Sequence, residues 1–537
     1  MWPNDFRERL PALLEREWDL VIVGGGITGA GILLEAARRG LRALLVEQRD
    51  FAWGASSRSS KLVHGGLRYL KQGRLALTRA SVRERERLLR EAAGLVEPQS
   101  FAFAAYRGRR PGRRQLALGL ALYDAIAGRR TRRYWTADEF LLLAPHVARA
   151  GLEGGVSYAD AKTDDARLVL RVLQEALAAG GVAVNYLAAR GVLREGGSVS
   201  GAELVDALGG AGYRVRAKLV INASGAWSDG LRANAAQGAH LRPLRGSHLV
   251  LPSWRLPVAQ AVSLMHPRDG RPVFAFPWEG VTLVGTTDLD HRFDLNAEAA
   301  ITAEEVAYLM QALAFQFPEL DLGLDDIVCT FAGVRAVIAG GAADPSKEAR
   351  DHAIWLEDGL LTVTGGKLTT FHLIAEDALA RCAALLPAMR ARSPGARTFA
   401  ALESLPPNPA LTWIQAQRLQ GRYGAHASDL LAAARPGELD TVAGTRTLWA
   451  ELRWTARAEA VQHLEDLLLR RTRLGLQLRE GGAALLPRMR AICQAELGWD
   501  DARWLAEEQA YLELWRERYS LPPRECLADL RAQARAG

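Results

Sequence analysis

The sequence predicts an α/β protein: a parallel strand–helix–strand unit at the front, an antiparallel sheet inserted within it, and a helical C-terminal domain. Three observations carry that expectation. Residues 19–23 are a short apolar, β-rich run that leads through a glycine loop into helical spacing over 32–39, and a second apolar run, 42–46, ends on Glu47. Between 242 and 285, short alternating segments are broken by Pro252, Pro257, Pro267, Pro272 and Pro277, which suits antiparallel pairing better than further crossovers. Beyond Pro409 the pattern is almost entirely helical and laced with Arg and Glu.

Length and composition bound the reading. A chain of 537 residues is expected to form two or three packed units, and 49% hydrophobic with 24% charged residues at a mean hydropathy of −0.05 excludes global disorder. No apolar run approaches the roughly 18 residues needed to cross a bilayer; the longest, 116–123, is stopped by Asp124. The first residues carry Asp5, Glu8, Glu15 and Glu17 instead of a basic start followed by an apolar stretch, so residence in the cytoplasm is expected. A surplus of 68 Lys and Arg over 61 Asp and Glu is too small to argue for nucleic acid. Cys329, Cys382, Cys493 and Cys526 have no metal-like spacing, so buried, reduced thiols and no metal are expected.

Taken in order, the front unit closes at Gly40, a natural C-cap, and a Ser-rich loop spans 55–60. A helix is expected over 75–93, then an arginine-rich stretch, 107–133, around an apolar centre. Residues 166–179 read as a helix, 182–187 as a strand, and 191–215 as a hairpin with Gly-Gly turns at 196–197 and 209–210. The strand 218–221 ends in Asn222-Ala223-Ser224-Gly225. The run 360–363, Gly365-Gly366 and a helix over 368–384 repeat the front pattern, so the chain is expected to return to its first domain. The division is then 18–100 and 156–235 for the dinucleotide domain with a return segment at 346–392, a connecting cap at 101–155, a substrate domain at 236–345, and the helical domain at 400–537.

Gly24-x-Gly26-x-x-Gly29 after a strand and before a helix is the dinucleotide fingerprint: the glycines admit a pyrophosphate to the helix N-terminus, and Glu47 can accept the ribose hydroxyls. An acid there argues against NADP. FAD and NAD share the pattern, but three further loops, Gly54 with Ser56 and Ser57, the tip at Gly225, and Gly365-Gly366, suit a longer ligand. Gly365-Gly366 before a helix offers N–H groups to a flavin edge that gains negative charge on reduction.

The motifs SSRSSKLVHGGLRYL at 56–70, DDARLVL at 164–170, GSH at 246–248, GTTD at 285–288, GVR at 333–335, RDH at 350–352, GGKLTT at 365–370 and RRTRLGL at 470–476 resemble those of the FAD-dependent, quinone-linked glycerol-3-phosphate dehydrogenases. The resemblance implies a Rossmann-like FAD-binding domain of the glutathione-reductase/D-amino-acid-oxidase type. It implies cofactor contacts from Gly24, Gly25, Gly26, Ile27, Thr28, Gly29, Glu47, Ser56, Ser57, Ser60, Lys61, His64, Gly65, Gly66, Leu67, Ala223, Gly225, Gly333, Arg335, Gly366, Lys367, Leu368 and Thr369. Arg68, Tyr69, Arg335, Arg350 and Lys367 are implied to hold the substrate, sn-glycerol 3-phosphate, because guanidinium forks pair with phosphate oxygens. His64, His248, Arg335 and Lys367 are the implied catalytic set: either histidine as base, Arg335 as stabiliser of the developing alkoxide. Asp288 either orients a partner or caps a turn. The chain departs from the family pattern at Leu33 and Glu35 and at Phe371-His372, where Tyr-Arg is usual; the last change touches a basic contact near the flavin.

A quinone is the implied electron acceptor. Arg107, Arg109, Arg110, Arg113, Arg114, Arg129, Arg130, Arg132 and Arg133 flank the apolar centre, which suits an anionic membrane surface, the cytoplasmic face of the cell membrane, as well as a solvated helix. A homodimer is compatible with the sequence. Competing readings are an oxidase using oxygen, an amine or amino-acid oxidase, and a non-catalytic flavin-bearing protein that docks on membranes. An amine substrate would leave the cations without a phosphate, and a non-catalytic role would leave His64, Arg68, Arg335, Arg350 and Lys367 without a task.

Overall fold

The computed structural model describes residues 1–2, 5–67, 70, 73–128, 130–232, 241–339, 351–391, 397–401 and 404–527, with the backbone alone at Arg113 and Arg114. Trp18–Val23 is buried along its whole length, as a strand covered on both faces must be. It pairs in parallel with Ala43–Val46 on one side and Gly212–Asn222 on the other. Val182–Val184 extends the sheet beyond Ala43–Val46, Leu360–Gly365 extends it beyond Gly212–Asn222, and His352–Glu357 closes that edge in antiparallel sense. The helices Ile27–Arg38, Asp165–Ala178 and Phe371–Arg381 cover it through Ile32, Leu34, Leu168, Leu173, Ile374 and Ala375. The first of these lies close to its strand because residue 29 has no side chain: a Cβ on Gly29 would stand 1.9 Å from the Gly24 carbonyl oxygen.

The hairpin expected over 191–215 is a three-stranded meander, Leu187–Glu195, Ser198–Asp206 and Gly212–Asn222, with both Gly-Gly turns where the sequence puts them. Its last strand runs on into the parallel sheet, so the meander is an edge extension of the first domain.

The second sheet has nine strands and is antiparallel except for one pairing. Leu241–Pro252 pairs with Cys329–Ile338 and Val281–Gly285, followed by Pro272–Trp278 and Ala261–Met265. Beyond these come Val96–Tyr106, Leu152–Thr163 and Arg133–Trp135. The pairing corrects two expected boundaries: 101–155 is no connecting cap, and the sheet of 236–345 takes three strands from 96–163. The reason is distance along the chain, since Phe101 pairs with Ala261 and nothing local marks the partner.

The C-terminal helices Trp413–Tyr423, Trp449–Ala458, Leu486–Leu497 and Asp501–Arg518 follow. Leu464, Leu468, Trp504 and Tyr511 share one core with Trp278, Leu283 and Phe331 of the antiparallel sheet. The joint with the first domain is ionic. Arg471 clasps the Asp50 carboxylate at 2.6 and 2.8 Å and Arg470 Nε reaches it at 2.6 Å, all three side chains essentially without solvent. Burial pushes the Asp50 carboxyl up, but Arg471 and Arg470 outweigh it and hold it at about 2.

His372 faces away from the sheet ends into the helix packing. Its Nε2 lies 3.3 Å from Glu35 Oε1, its Nδ1 is 3.7 Å from both Glu84 and Glu376, and Arg87 stands 3.1 Å from Nδ1. The departures at positions 35 and 372 thus meet in one buried charge cluster. Cys329, Cys382 and Cys493 are buried as expected; Cys526 is exposed.

Arg471→Met should cost about 3–5 kcal/mol, the loss incurred when one partner of a buried ion pair is removed. Urea unfolding checks this: the midpoint should fall with an unchanged slope.

Candidate active site

A cleft of about 610 Å³ opens at the carboxyl ends of four parallel strands, lined by Gly24, Glu47, Ala223 and Gly366 just past each strand end. Open parallel sheets take their ligands there. The antiparallel sheet supplies the facing wall through His248, Phe274 and Arg335.

One half is built for a dinucleotide. Gly26 caps the helix Ile27–Arg38 without a side-chain hydrogen bond, so the positive helix end at Gly26, Ile27 and Thr28 is presented to the cleft. Ser56 Oγ accepts the Ile27 N–H at 3.0 Å. Glu47 Oε2 accepts from Gly25 N at 2.7 Å and Oε1 from Arg49 N at 3.0 Å, which aims the carboxylate into the cleft; burial raises its pKa against the pull of those N–H groups. Gly225 lies at the same end, as do Trp53 and Trp227, whose rings are 5.6 Å apart. Sequence reasoning passed over both tryptophans, although Trp227 follows the recognised glycine tip by two residues.

Several expected contacts hold the cleft instead of lining it. Gly25 and Gly29 pack the loop, Gly66 is buried, and the Ser57 carbonyl accepts from Lys61 Nζ at 3.0 Å. The Lys61 side chain does not reach the cleft: its ammonium is fully buried against Asp165 at 2.9 Å, and burial followed by the charge of Arg473 lowers it to about 8. Gly65 donates its N–H to Asp160 Oδ1 at 2.9 Å, while Arg85 and Tyr123 donate to the same carboxylate at 2.8 and 3.2 Å. A Cβ at Gly65 would stand 2.1 Å from Tyr123 Oη. The helices Leu75–Glu91 and Arg113–Ala127 thereby clamp the loop that carries His64 and Leu67 into the cleft.

The other half gathers the chemistry. His248 stacks on Phe331 with centroids 4.6 Å apart, and its Nε2 is 2.9 Å from Ser60 Oγ. Burial, then the charges of Lys61 and Arg335, push it down to about 3, so the ring is neutral at ordinary pH. Arg335, beside Gly333, donates to the Thr287 carbonyl at 3.3 Å and lies 3.6 Å from Asp288, whose other oxygen is 3.4 Å from Arg271. Asp288 therefore orients cations. Arg271, which also lines the cleft, was missed because its segment was read for its prolines. Lys367, Leu368 and Thr369 also line the cleft, and Thr369 Oγ1 donates to the His64 carbonyl at 3.4 Å. Arg68, Tyr69 and Arg350 lie outside the described residues.

Residues 19–381 match the family model for FAD dependent oxidoreductases, and 389–504 match that for the C-terminal domain of alpha-glycerophosphate oxidase. The aerobic glycerol-3-phosphate dehydrogenase of Staphylococcus aureus is 34% identical over 483 residues, 85% of this chain and 86% of that one. That of Staphylococcus epidermidis is 40% identical over 370 residues, 68% of this chain and 66% of the other. The glycerol-3-phosphate dehydrogenase structure from Bacillus halodurans, complexed with FAD, superimposes with a TM-score of 0.75 at 26% identity, covering 96% of this chain and 98% of its own.

If Glu47 binds the ribose, Glu47→Gln should weaken cofactor retention by about 1.5–3 kcal/mol, the range for a hydrogen bond to a charged group. Flavin content after gel filtration reads this directly, and wild-type occupancy would remove Glu47 from the adenosine site.

Proposed function

We propose a function from one premise: the chain belongs to the FAD-dependent oxidoreductase family and, within it, to the aerobic glycerol-3-phosphate dehydrogenases. It oxidises sn-glycerol 3-phosphate at C2 to dihydroxyacetone phosphate. The observation that carries this reading is a neutral imidazole and a guanidinium, His248 and Arg335, presented by paired strands to one cleft that Lys367 also lines.

The residues fit the cofactor: for the pyrophosphate, a helix end whose cap, Gly26, has no side chain; for the ribose, Glu47; and for a flavin edge, Gly366 with Lys367 at the start of a 3-10 turn. FAD held there would supply the acceptor for the C2 hydride, with a quinone as the proposed final acceptor of the electron pair. Everything else falls to side chains. His248, neutral through burial and the charges of Lys61 and Arg335, takes the hydroxyl proton. Arg335 stabilises the charge that develops on the substrate oxygen as the proton leaves, held for that task by Asp288. The family resemblance adds Arg68, Tyr69 and Arg350, with Lys367, to the phosphate site, and keeps His64 as the second candidate base.

The quinone has an apolar wall to approach, formed by Leu62, Leu67, Phe101, Tyr158 and Phe274. Among the described residues no helix is long and apolar enough to cross a membrane. Leu118 and Leu122, 74% and 47% exposed, stand one turn apart on the helix Arg113–Ala127, and Arg107, Arg109 and Arg110 are exposed at its approach. An apolar ridge beside guanidinium groups suits an anionic surface. The name of the matching C-terminal model makes oxygen the competing acceptor.

Two outcomes are expected. Anaerobic sn-glycerol 3-phosphate should bleach the flavin spectrum of the purified protein while glycerol does not, and reoxidation should be faster with a soluble quinone analogue than with oxygen; bleaching by neither substrate would refute the assignment. Replacing Arg109, Arg110, Arg113 and Arg114 by Gln should weaken sedimentation with anionic liposomes by up to about 4 kcal/mol at low salt, leaving dye-linked activity intact. Equal sedimentation would leave the helix a solvated one.

A further inference from the structure

Beneath the cleft lies a cluster of charge that the proposed reaction does not use. Asp165, at the start of the helix Asp165–Ala178, is fully buried. Its Oδ2 accepts from Ser59 N at 2.9 Å and Ser59 Oγ at 2.8 Å. Its Oδ1 accepts from Lys61 Nζ at 2.9 Å, Ala166 N at 3.0 Å and Arg473 at 3.3 Å. One carboxylate thus ties down both neighbours of Ser60, and the Lys61 N–H donates to Ser59 Oγ at 3.0 Å to complete the turn. Lys61 sits at φ +54, a conformation that a lysine keeps only when its surroundings fix it.

The hydrogen bond that fixes the His248 ring issues from this turn, and the ring stacked on it, Phe331, is the cross-strand partner of His248 and packs on the turn's lysine. Ser60 Oγ, half-buried at the cleft edge, is 2.9 Å from Nε2. Phe331, stacked on the ring, has the Lys61 ammonium 4.7 Å from its centroid. The third support comes from the C-terminal domain: Arg473, itself buried, donates to the Ser57 carbonyl at 2.7 Å as well as to Asp165.

We propose that Asp165 is the positioning residue for His248: its carboxylate fixes the turn that presents the Ser60 hydroxyl to the imidazole, and Arg473 of the C-terminal domain holds that carboxylate in place. Which ring nitrogen carries the proton, and where the other points, is then set from beneath the cleft by groups that never touch substrate. Burial keeps the ring neutral in the first place, and the Lys61 ammonium anchored in the cluster adds to it against the opposing charge of Asp165. The proposal rests on the reading of His248 as the proton acceptor.

The test is anaerobic rapid mixing of flavin-loaded protein with sn-glycerol 3-phosphate, reading the rate of flavin reduction at saturation and the half-saturating concentration. The proteins compared are wild type, Ser60→Ala, Asp165→Asn, Arg473→Lys, His248→Asn, and the Ser60→Ala and Asp165→Asn changes within His248→Asn. Ser60→Ala and Asp165→Asn should each slow reduction about 10- to 100-fold, as a misplaced reacting group does, with half-saturation moved less than about 3-fold. Arg473→Lys, which keeps the charge and loses the fork, should slow it about 5-fold or more. Within His248→Asn the same changes should cost less than about 3-fold, because residues acting through one group are not additive. Equal slowing in both backgrounds would reduce Asp165 to a structural ion pair and overturn the proposal alone. Wild-type rates in His248→Asn would overturn the base assignment and the proposal with it. If Asp165→Asn fails to retain flavin, Ser60→Ala decides: a full reduction rate there overturns the proposal.

Discussion

Carboxylates without access to water must find cations, and in this chain the cations come from far away. Asp50 and Asp165 belong to the loops and helix starts that shape the cleft, and Asp164 caps the same helix. Besides Lys61, which pairs with Asp165 from within the first domain, their partners are Arg470, Arg471, Arg473 and Arg422 of the C-terminal domain. A buried carboxylate left unpaired costs several kcal/mol, more than a marginally stable domain can lose lightly. The first domain is therefore built in a form that needs the C-terminal helices in place. Arg167 and Glu459, paired at 2.8 and 2.5 Å without solvent, add a clasp of the same kind.

Two sheets with different tasks follow from that arrangement. The parallel sheet ends in glycine-rich tips because backbone N–H groups and helix ends must approach a dinucleotide closely. The antiparallel sheet contributes side chains, His248, Arg335 and Asp288, which point from strands and strand ends whose partners fix their positions. The chain passes between the two sheets several times, so neither wall of the cleft is a contiguous stretch of sequence. A helix carrying Tyr123 clamps the His64 loop from behind while presenting Leu118 and Leu122 outward. One element thus couples the cleft to the surface that suits a membrane.

Much of this was legible in the sequence, and the rest was hidden for identifiable reasons. The front strand, its glycine loop and Glu47 are local: every residue that defines them lies within a few tens of positions, and spacing alone reveals them. His248, Arg335 and Lys367 carried family-specific motifs and do meet in one cleft. Lys61 sat in the same motif as His64, yet its partner is 104 residues away and turns it inward. The strand Val96–Tyr106 straddles the expected boundary between 100 and 101, because its partner Ala261–Met265 lies far along the chain and nothing local marks it. Asp50 meets Arg471 across 421 residues, a separation over which no periodicity reports. Position 372 follows the lysine loop in sequence, but its partner Glu35 lies on another helix far back along the chain, which no local pattern reports.

The central claim is that the cleft and the C-terminal helices form one cooperative unit through buried arginine–aspartate pairs. Differential scanning calorimetry of the flavin-loaded protein, with flavin fluorescence followed through the same temperature range, tests it most directly. The account predicts a single endotherm in which heat uptake and flavin release coincide. A first endotherm from the helical domain, completed while the flavin is still bound, would contradict it.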